Sequence, residues 1–425
     1  MINTAKSGRN SLSFILWSVL ILSCRHDNGT VTIGRVEAFL TSSLATPKER
    51  PMKPNESPVN SKSVVSLEAA PQRLSDNAQG PLYVNDRCIN CSACSMFAPS
   101  VFARDMKRDT HHFVTKQPVT ELEIEDSRAA LAACPVAAIR VEHNPIIHEE
   151  LPSASQFAIR PSLNGRPLPF PRLVSSSVPD VHFVGHHNPR SFGAAPYLFS
   201  VPTYFSESEP TWVLVDTPAY SKRAVEVVES LTGLDGPSYL VLTHVDDTAD
   251  HNRWKERFPN MKRIFHAGDL GKNNWVGDDT LENVEILLDS RSSDNQLQHF
   301  DLNGTPIDSD NSEPVVLIHT PGHTPGCISI LKKPTNSGTP GVLFTGDTYT
   351  YTTRDGGHGS GMPQYSKENF ELQANILRLL LDLDWQVLAP GHGHARDYSL
   401  LTGDSLSDLR EAEIEEGIEE LSRYF

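Results

Sequence analysis

Four of the six cysteines have a spacing that could hold a metal cluster. Cys88, Cys91 and Cys94 form a C-x2-C-x2-C triplet, and Cys134 follows at a distance, immediately before Pro135. Two-residue gaps let one tight loop direct three thiolates at a single point, and a remote Cys-Pro can supply the fourth thiolate of a [4Fe–4S] cube. Two other readings remain open. One is a zinc site, although four-cysteine zinc sites usually use two separated C-x2-C pairs, and the other is a free or disulfide-bonded set.

Histidines and aspartates form a second set, which is spread along the chain. His244 begins the stretch HVDDTADH, His323 lies in HTPGHTPG, Asp347 in FTGDT and His392 in LAPGHG. A histidine taken alone is more often an ordinary surface or core residue, but four such segments in this order favour a metal site. Mixed imidazole and carboxylate ligands suit a two-metal centre of zinc, iron or manganese, in which the Asp347 carboxylate can bridge the ions.

Each of these segments follows a short apolar run with the length and branched composition of a buried strand. The predicted strands are Trp212–Val215, Tyr239–Leu242, Val315–Ile318, Ile328–Leu331, Val342–Phe344 and Val387–Leu388. Between them, Ser221–Leu231 and Ser366–Leu383 carry apolar residues at helical spacing, and each begins with a serine that can cap a helix. The alternation predicts an α/β layering in which strands lead into the loops that hold the chemistry.

The cysteine-bearing segment resembles a known family. Tyr83 to Asp105, YVNDRCINCSACSMFAPSVFARD, and Ala133 to Ile139, ACPVAAI, are similar to a single-cluster bacterial-type ferredoxin. The resemblance implies a small α+β domain over residues 80–141 that binds one [4Fe–4S] cluster through the four cysteines and transfers one electron at a time. It also implies a reducing compartment, because such clusters are not kept in oxidising space.

Residues 180–400 resemble the metallo-β-lactamase fold superfamily, whose segments run T-H-x-H-x-D-H, G-H-T, G-D and G-H-G. The resemblance implies a four-layer αββα sandwich, and Asp216 matches an early Asp-Thr/Ser-Gly turn of the family. The resemblance also implies two divalent metal ions, zinc or iron, each held by its own set of ligands. The first set is His244, Asp246, His323 and Asp347, and the second is Asp347, Asp250, His251 and His392, with Asp250 and Asp347 as the catalytic carboxylates.

Two departures from the family pattern concern the first segment. Asp246 replaces the family's second histidine, and two extra residues separate it from Asp250 and His251. THVDDTADH resembles a plant and cyanobacterial subfamily written T-H-x-D-D-x-A-D, which does not always end with histidine. His251 is therefore the least secure ligand, and Asp247 could replace Asp246 or Asp250 unless it caps a helix over Thr248–Phe258. A one-metal centre also remains open.

Two enzymatic functions follow from the resemblance. The preferred one is a hydrolase, in which a metal-bound hydroxide attacks an ester, thioester, lactone or phosphoester and the glyoxalase II-like turns favour a thioester. The alternative is a di-iron oxidoreductase reduced by its own ferredoxin domain, since Asp246 raises the oxygen share of the site and oxygen ligands suit iron. A third reading is an electron carrier with the α/β domain as a docking body. In the hydrolase the two modules are expected to have separate cores.

Composition limits the class of partner. The net charge of −16, from 37 basic and 53 acidic residues, argues against a nucleic-acid partner. No apolar run reaches the roughly 18 residues of a membrane-spanning helix, which argues against a multi-span membrane protein. A small-molecule substrate is expected, together with a possible redox partner for the cluster. Residues 142–178 predict a Pro- and Ser-rich linker, residues 179–400 the sandwich, and residues 401–425 a solvated acidic helix.

Residues 1–79 have the features of a targeting leader followed by a disordered stretch. The apolar run from Leu12 to Leu22 follows Lys6 and Arg9, as in the hydrophobic region of a signal peptide. Ala38-Phe39, in a Ser-, Thr- and Lys/Arg-rich context, resembles the junction of the bipartite plastid leaders of algae. Delivery to a plastid would account for a signal-like leader on a cluster protein. A plastid is therefore the expected location, with the cytoplasm as the alternative.

Overall fold

The computed structural model describes residues 70–142, 152–203, 206–289, 296–366, 369–401 and 405–425. The apolar run and the Ala38-Phe39 pair of the predicted leader lie outside the described residues, as does residue range 143–151 of the predicted linker. In the described part of the chain, no helix is both long and apolar enough to cross a membrane.

A small α+β domain holds the four cysteines. Its elements, numbered in chain order, are β1 (Leu82–Val84), α1 (Ala93–Phe97), β2 (Phe102–Arg104), β3 (His112–Val114), α2 (Glu121–Ala133) and β4 (Ile139–Val141). β1 pairs antiparallel with β4, and β2 pairs antiparallel with β3. α2 begins with a capping box, in which the Thr120 hydroxyl accepts from Glu123 N–H and the Glu123 carboxylate accepts from Thr120 N–H. The helix that begins here ends at Ala133, and Cys134 caps its C-terminal end.

The small domain begins before the predicted boundary at residue 80. Leu74 N–H donates to Val84 O over 3.1 Å, which adds the preceding segment to β1. The Asn77 amide oxygen accepts from Val84 N–H (2.9 Å) and Val114 N–H (3.0 Å) and so joins β1 to β3. Residues 70–79 therefore belong to this domain rather than to a disordered leader.

Two seven-stranded sheets form the centre of the larger domain. The first contains β5 (Arg172–Leu173), β6 (Val181–Phe183), β7 (Tyr197–Thr203), β8 (Ser206–Val215), β9 (Tyr239–Val241), β10 (Lys262–His266) and β11 (Ile286–Leu288). The remaining strands are β12 (Gln298–Phe300), β13 (Pro306–Ile307), β14 (Val315–His319), β15 (Ile328–Lys332), β16 (Val342–Gly346), β17 (Thr350–Thr352), β18 (His358–Ser360), β19 (Val387–Pro390) and β20 (Arg396–Asp397). β17 and β18 pair with each other, and the others form the second sheet in the spatial order β13-β12-β14-β15-β16-β19-β20.

Helices cover the outer faces of the two sheets. After the short α3 (Pro161–Asn164), α4 (Lys222–Thr232) and α5 (His251–Arg257) pack against the first sheet, and α6 (Phe370–Leu381) and α7 (Ser405–Ser422) pack against the second. Along β14, Val315 and Leu317 join the core between the sheets, whereas Val316 and Ile318 join the core under α6 and α7, as the strand period of two requires. The predicted α/β class and its four-layer αββα order are confirmed.

Most predicted elements lie where the sequence places them, and the differences fall at element ends. β8, for example, begins at Ser206 instead of Trp212. α4 begins after the predicted cap, because the Ser221 hydroxyl accepts from the backbone of the first turn. α6 begins after Asn369 instead of Ser366. The Ser366 hydroxyl does not cap the helix because it donates to Gln373 Oε1 (3.0 Å) and so ties the preceding loop to the helix.

The C-terminal helix and the predicted linker are both parts of the packed structure. α7 buries Ile414, Ile418 and Leu421 against the second sheet, so only one of its faces is solvated. Within residues 152–178, Phe157 and Phe170 are buried, and this segment supplies the edge strand β5. Ile414, Ile418 and Leu421 recur at helical spacing, so the sequence contains this apolar face, although acidic residues dominate the composition of α7.

The small domain has a hydrophobic core of its own, which includes Leu82, Phe102 and Ile139, but one side of α1 and α2 packs into the core of the sandwich. The expectation that the two modules have fully separate cores is therefore wrong. Phe97 of α1 packs edge-on against Phe170 and Phe183, with ring centroids 5.0 and 5.1 Å away. Ala129 and Ala133 of α2 belong to the same cluster of buried side chains. The cysteine loop is therefore held in a fixed position on the sandwich.

Candidate metal centres

The four cysteines converge on one pocket of the small domain. Cys88 and Cys91 lie on the loop before α1, Cys94 lies within α1, and Cys134 ends α2. All four side chains line the same cavity. Ser92, between the second and third cysteines, has a φ of 68°, a left-handed conformation that lets the loop turn back sharply toward the pocket.

Burial controls the charge state of these thiols. Burial, with a further contribution from the neighbouring Cys134 and Cys88, raises the pKa of Cys91 to about 12, and burial raises that of Cys94 well above its usual value. Thiolates in such a place need compensating positive charge, which the iron ions of a cluster supply. Ala138 N–H donates to Cys134 Sγ over 3.2 Å, the kind of bond that tunes a cluster's potential. The cysteine set fits a [4Fe–4S] cluster.

Four side chains form a first group of metal donors in the sandwich. His244 Nε2 lies 3.9 Å from Asp246 Oδ2 and 3.7 Å from Asp347 Oδ2. His323 Nε2 lies 3.7 Å from each of the same two oxygens. Ligands of a tetrahedral ion with bonds of about 2.1 Å are about 3.4 Å apart, so these donors surround a space of the size of one metal ion.

The imidazoles of this group present ring nitrogens that lack hydrogen-bond partners. His244 and His323 are buried, and neither Nε2 has a partner among the described residues. Burial lowers the pKa of His244 to about 4, so its ring is neutral at pH 7 and offers a lone pair. An unpaired buried polar atom costs about 1–3 kcal/mol, a cost that a bound ion removes. These two rings therefore fit a metal.

Asp247, Asp347 and His392 form a second group, whose ligand atoms lie within 4.8 Å of one another. His392 Nδ1 is 2.9 Å from Asp347 Oδ1. Both Asp247 oxygens are buried and have no hydrogen-bond partner within the described ranges. Burial, reinforced by the Asp347 charge, raises the pKa of Asp247 well above its usual value, and a cation would stabilise the ionised form. Because Asp347 belongs to both groups, it is placed to bridge two ions.

The structure does not bring Asp250 and His251 to either group. Asp250 accepts a hydrogen bond from Asn188 Nδ2 over 2.9 Å, and His251 Nε2 lies 3.1 Å from Asp278 Oδ2. The chain after His244 forms a 3-10 turn that ends at Asp247, and this turn directs Asp247 into the centre while the next two residues of the motif pass beyond it. The family resemblance assigns Asp250 and His251 as ligands, and Asp250 also as a catalytic carboxylate. In this structure Asp247 lies in that place instead.

Two buried carboxylates hold the loops that carry the ligands. Asp216, at the end of β8, accepts from Thr243 N–H (2.9 Å) and from the Thr243 hydroxyl (3.0 Å). Asp269, after β10, accepts from Val245 N–H (2.9 Å) and from the Thr324 hydroxyl (2.8 Å), so it joins the first ligand loop to the turn that carries His323. Sequence reasoning missed Asp269, although its position three residues after a buried strand is a signal that could have indicated it.

Trp275 is a second residue that the sequence did not indicate. Its indole N–H donates to Asp246 Oδ1, which leaves Oδ2 of the same carboxylate toward the two histidines. The Trp275 side chain is 37% exposed, so it forms part of the surface next to the first donor group. No short-range sequence pattern connects it with Asp246.

Residues 84–141 match the family described as the 4Fe-4S single cluster domain of Ferredoxin I. This match confirms the resemblance of the small domain and supports one [4Fe–4S] cluster on its four cysteines. No curated protein matches the chain.

Solved structures similar to this chain are proteins of the metallo-β-lactamase superfamily. An archaeal superfamily protein from Sulfolobus tokodaii is 18% identical, with 57% of this chain and 98% of that chain covered and a TM-score of 0.32. A subclass B3 metallo-β-lactamase of Bradyrhizobium japonicum is 14% identical (59% and 93% covered, TM-score 0.35). A family protein from Thermus thermophilus is 15% identical (58% and 79% covered, TM-score 0.36).

The two donor sets define the class of this protein. A ferredoxin-type domain with a site for one [4Fe–4S] cluster is packed on an αββα sandwich, and the sandwich holds a centre of histidines and aspartates that fits divalent metals. These features support a metalloenzyme with an iron–sulfur domain.

Proposed function

We propose that this chain is an oxidoreductase, in which a reaction at an iron-containing His/Asp centre uses electrons from the ferredoxin-type domain. The observation that carries the proposal is the position of Asp247. With Asp247 in place of Asp250 and His251, the second group has two carboxylates and a single imidazole. Oxygen-rich ligand sets suit iron or manganese better than zinc, which favours nitrogen and sulfur.

The chain's own residues supply the remaining parts of such a centre. When bound, the iron ions supply a redox-active Lewis acid, and the cluster supplies single electrons. Asp347 would ligate in both groups, because its Oδ2 lies 3.7 Å from His244 Nε2 and from His323 Nε2, and its Oδ1 lies 2.9 Å from His392 Nδ1. Burial by itself raises the pKa of Asp347, but His392, His244 and His323 together outweigh burial and hold this pKa below its usual range. The carboxylate is therefore ionised at pH 7.

One observation favours the hydrolase as a second candidate. The first donor group has two imidazoles and two carboxylates spaced at 3.7–3.9 Å, and four donors at this spacing also suit a tetrahedral zinc ion. A zinc-loaded centre would activate water for attack on a thioester or ester, without a need for electrons. The cluster would then act as a structural or regulatory group.

Metal analysis and turnover of Cys91→Ser separate the two candidates. We expect anaerobically purified protein to contain about six Fe, roughly four in the cluster and two in the centre, and no Zn. Reductant-driven oxygen or nitric oxide consumption should be lost in Cys91→Ser together with the visible absorption of the cluster. Cys327→Ser is the matched control, since Cys327 is buried outside the cysteine pocket.

The opposite result would support the hydrolase. About four Fe with two Zn, and hydrolysis of a thioester panel that stays within a few-fold of wild type in Cys91→Ser, would contradict the oxidoreductase.

A further inference from the structure

The segment Gly193–Ala195 lies between the two donor sets. Gly193 has a φ of +88°, and a Cβ added to it would lie 2.9 Å from Cys91 Cβ and 3.1 Å from Cys91 Sγ. No larger residue could bring its backbone this close to the cysteine, because distances under 3.0 Å between such atoms force one of them to move. Glycine at this position therefore places a peptide group directly against the cluster site.

The other end of the segment is bonded to the loop of a metal ligand. Ala195 N–H donates to Gly391 O over 2.7 Å, and Gly391 precedes His392 in the chain. Three consecutive residues and one hydrogen bond thus connect the contact at Cys91 with the ligand His392.

His187 fixes the position of this segment. It is buried, and its Nδ1–H donates to Gly193 O over 2.9 Å. Its ring also contacts the ring of Phe97, with centroids 5.9 Å apart, so the side chain is held by the core that joins the small domain to the sandwich. The same histidine therefore supports the segment where it meets the cysteine.

We propose that Gly193–Ala195 is the electron-transfer contact between the cluster site and the His/Asp centre, with His187 as its positioning residue. The proposal rests on the proposed oxidoreductase function. One electron enters from a low-potential one-electron donor and reduces the cluster. It then crosses from the Cys91 side through the segment to the His392 side, where one ferric ion is reduced as the cluster is reoxidised. No bond forms or breaks, and no proton moves.

The test measures this transfer in iron-loaded full-length protein rather than substrate turnover. Light-driven flavin reductant injects one electron, and the visible absorbance of the cluster bleaches and then recovers as the electron leaves. We expect recovery to be several-fold slower in Gly193→Ala than in wild type. Gly338→Ala is the matched control, since Gly338 has a φ of +93° but nothing within 4 Å of an added Cβ.

A second pair of variants avoids a steric change at the cysteine. His187→Leu removes the donor to Gly193 O and should slow the recovery several-fold, whereas His187→Asn can still donate from its side-chain amide and should stay close to wild type. If Gly193→Ala loses its cluster iron, this pair decides the result. Iron content and the electron paramagnetic resonance signal of the ferric centre are measured for every variant. If Gly193 and His187 had only a structural role, the variants would bind less iron, but the transfer rate in fully loaded molecules would be unchanged.

The outcomes separate the route from the function. Recovery at the wild-type rate in fully loaded Gly193→Ala and His187→Leu would overturn the route while leaving the oxidoreductase in place. Absence of any recovery in wild type with a ferric centre would overturn the proposed function, and the route with it.

Discussion

We expect Phe97 to contribute most to the packing of the small domain on the sandwich. Its side chain is 7% exposed and makes edge-on contacts with Phe170 and Phe183. Truncation of a buried Phe to Ala costs about 3–5 kcal/mol, because the lost burial adds to the cost of the cavity. Two aromatic pairs, each worth about 0.5–1.5 kcal/mol beyond their area, put Phe97→Ala toward the upper end of that range.

Two optical probes report on the two parts of the molecule separately. The cluster's visible absorbance reports on the small domain. Tryptophan fluorescence reports mainly on the sandwich, because four of the five tryptophans (Trp212, Trp254, Trp275 and Trp385) lie in the larger domain. In anaerobic urea titrations of the wild-type holoprotein, the two transitions should coincide. In Phe97→Ala the cluster should bleach at a lower urea concentration than the one at which the sandwich unfolds.

A matched control removes an aromatic ring that is not part of the core. Phe425 is 59% exposed, so Phe425→Ala should change the free energy of unfolding by about 0.5 kcal/mol or less. The reasoning would be refuted if Phe97→Ala shifted neither transition by more than this control, or if the wild-type transitions were already separate. Either result would mean that the two domains do not depend on a common core.

The other predictions concern the His/Asp centre. Asp347→Asn should lower the occupancy of both metal positions and abolish activity while the cluster absorbance persists, and two fully occupied metals with wild-type turnover would remove Asp347 from the centre. Asp247→Asn should lower the content of non-cluster metal, whereas Asp250→Asn should leave it unchanged; metal analysis giving the reverse order would restore Asp250 as the ligand. Trp275→Phe removes the donor to Asp246 and should weaken metal binding about 10–100-fold in chelator competition, as expected for a partner that orients a ligand. An unchanged affinity would show that Asp246 needs no such support.

Much of the fold could be predicted because its signals are local. The strands of the two sheets are short apolar runs, and the start of α4 is marked by a serine cap at Ser221. No local signal in the sequence indicates which residues pack against Phe97. Phe170 and Phe183 are more than seventy residues away in the chain, and their contact depends on how one domain docks on the other. A pattern of spacing along the chain does not contain that information.

The centre was predictable to the extent that its ligands follow strands directly. His244, His323 and Asp347 each come soon after a buried strand, and their order alone places them at one end of the sandwich. The choice between Asp247 and Asp250 depends on a single 3-10 turn, in which a change of one or two residues reverses the direction of a side chain. The two extra residues in the motif change which carboxylate faces the centre. The sequence shows the insertion, but only the backbone conformation shows that Asp247 is the one that turns inward.

The contact of Phe97 with the sandwich would also link the stability of the sandwich to iron supply. α1 has five residues, which is too short for a stable helix on its own, and it carries both Cys94 and Phe97. Cysteine ligation to the cluster therefore holds Phe97 in place against Phe170 and Phe183. In an iron-starved cell the newly made chain would expose these rings as an apolar patch and become a substrate for proteases, even with every His/Asp ligand intact. Cluster assembly would then set the abundance of the whole enzyme.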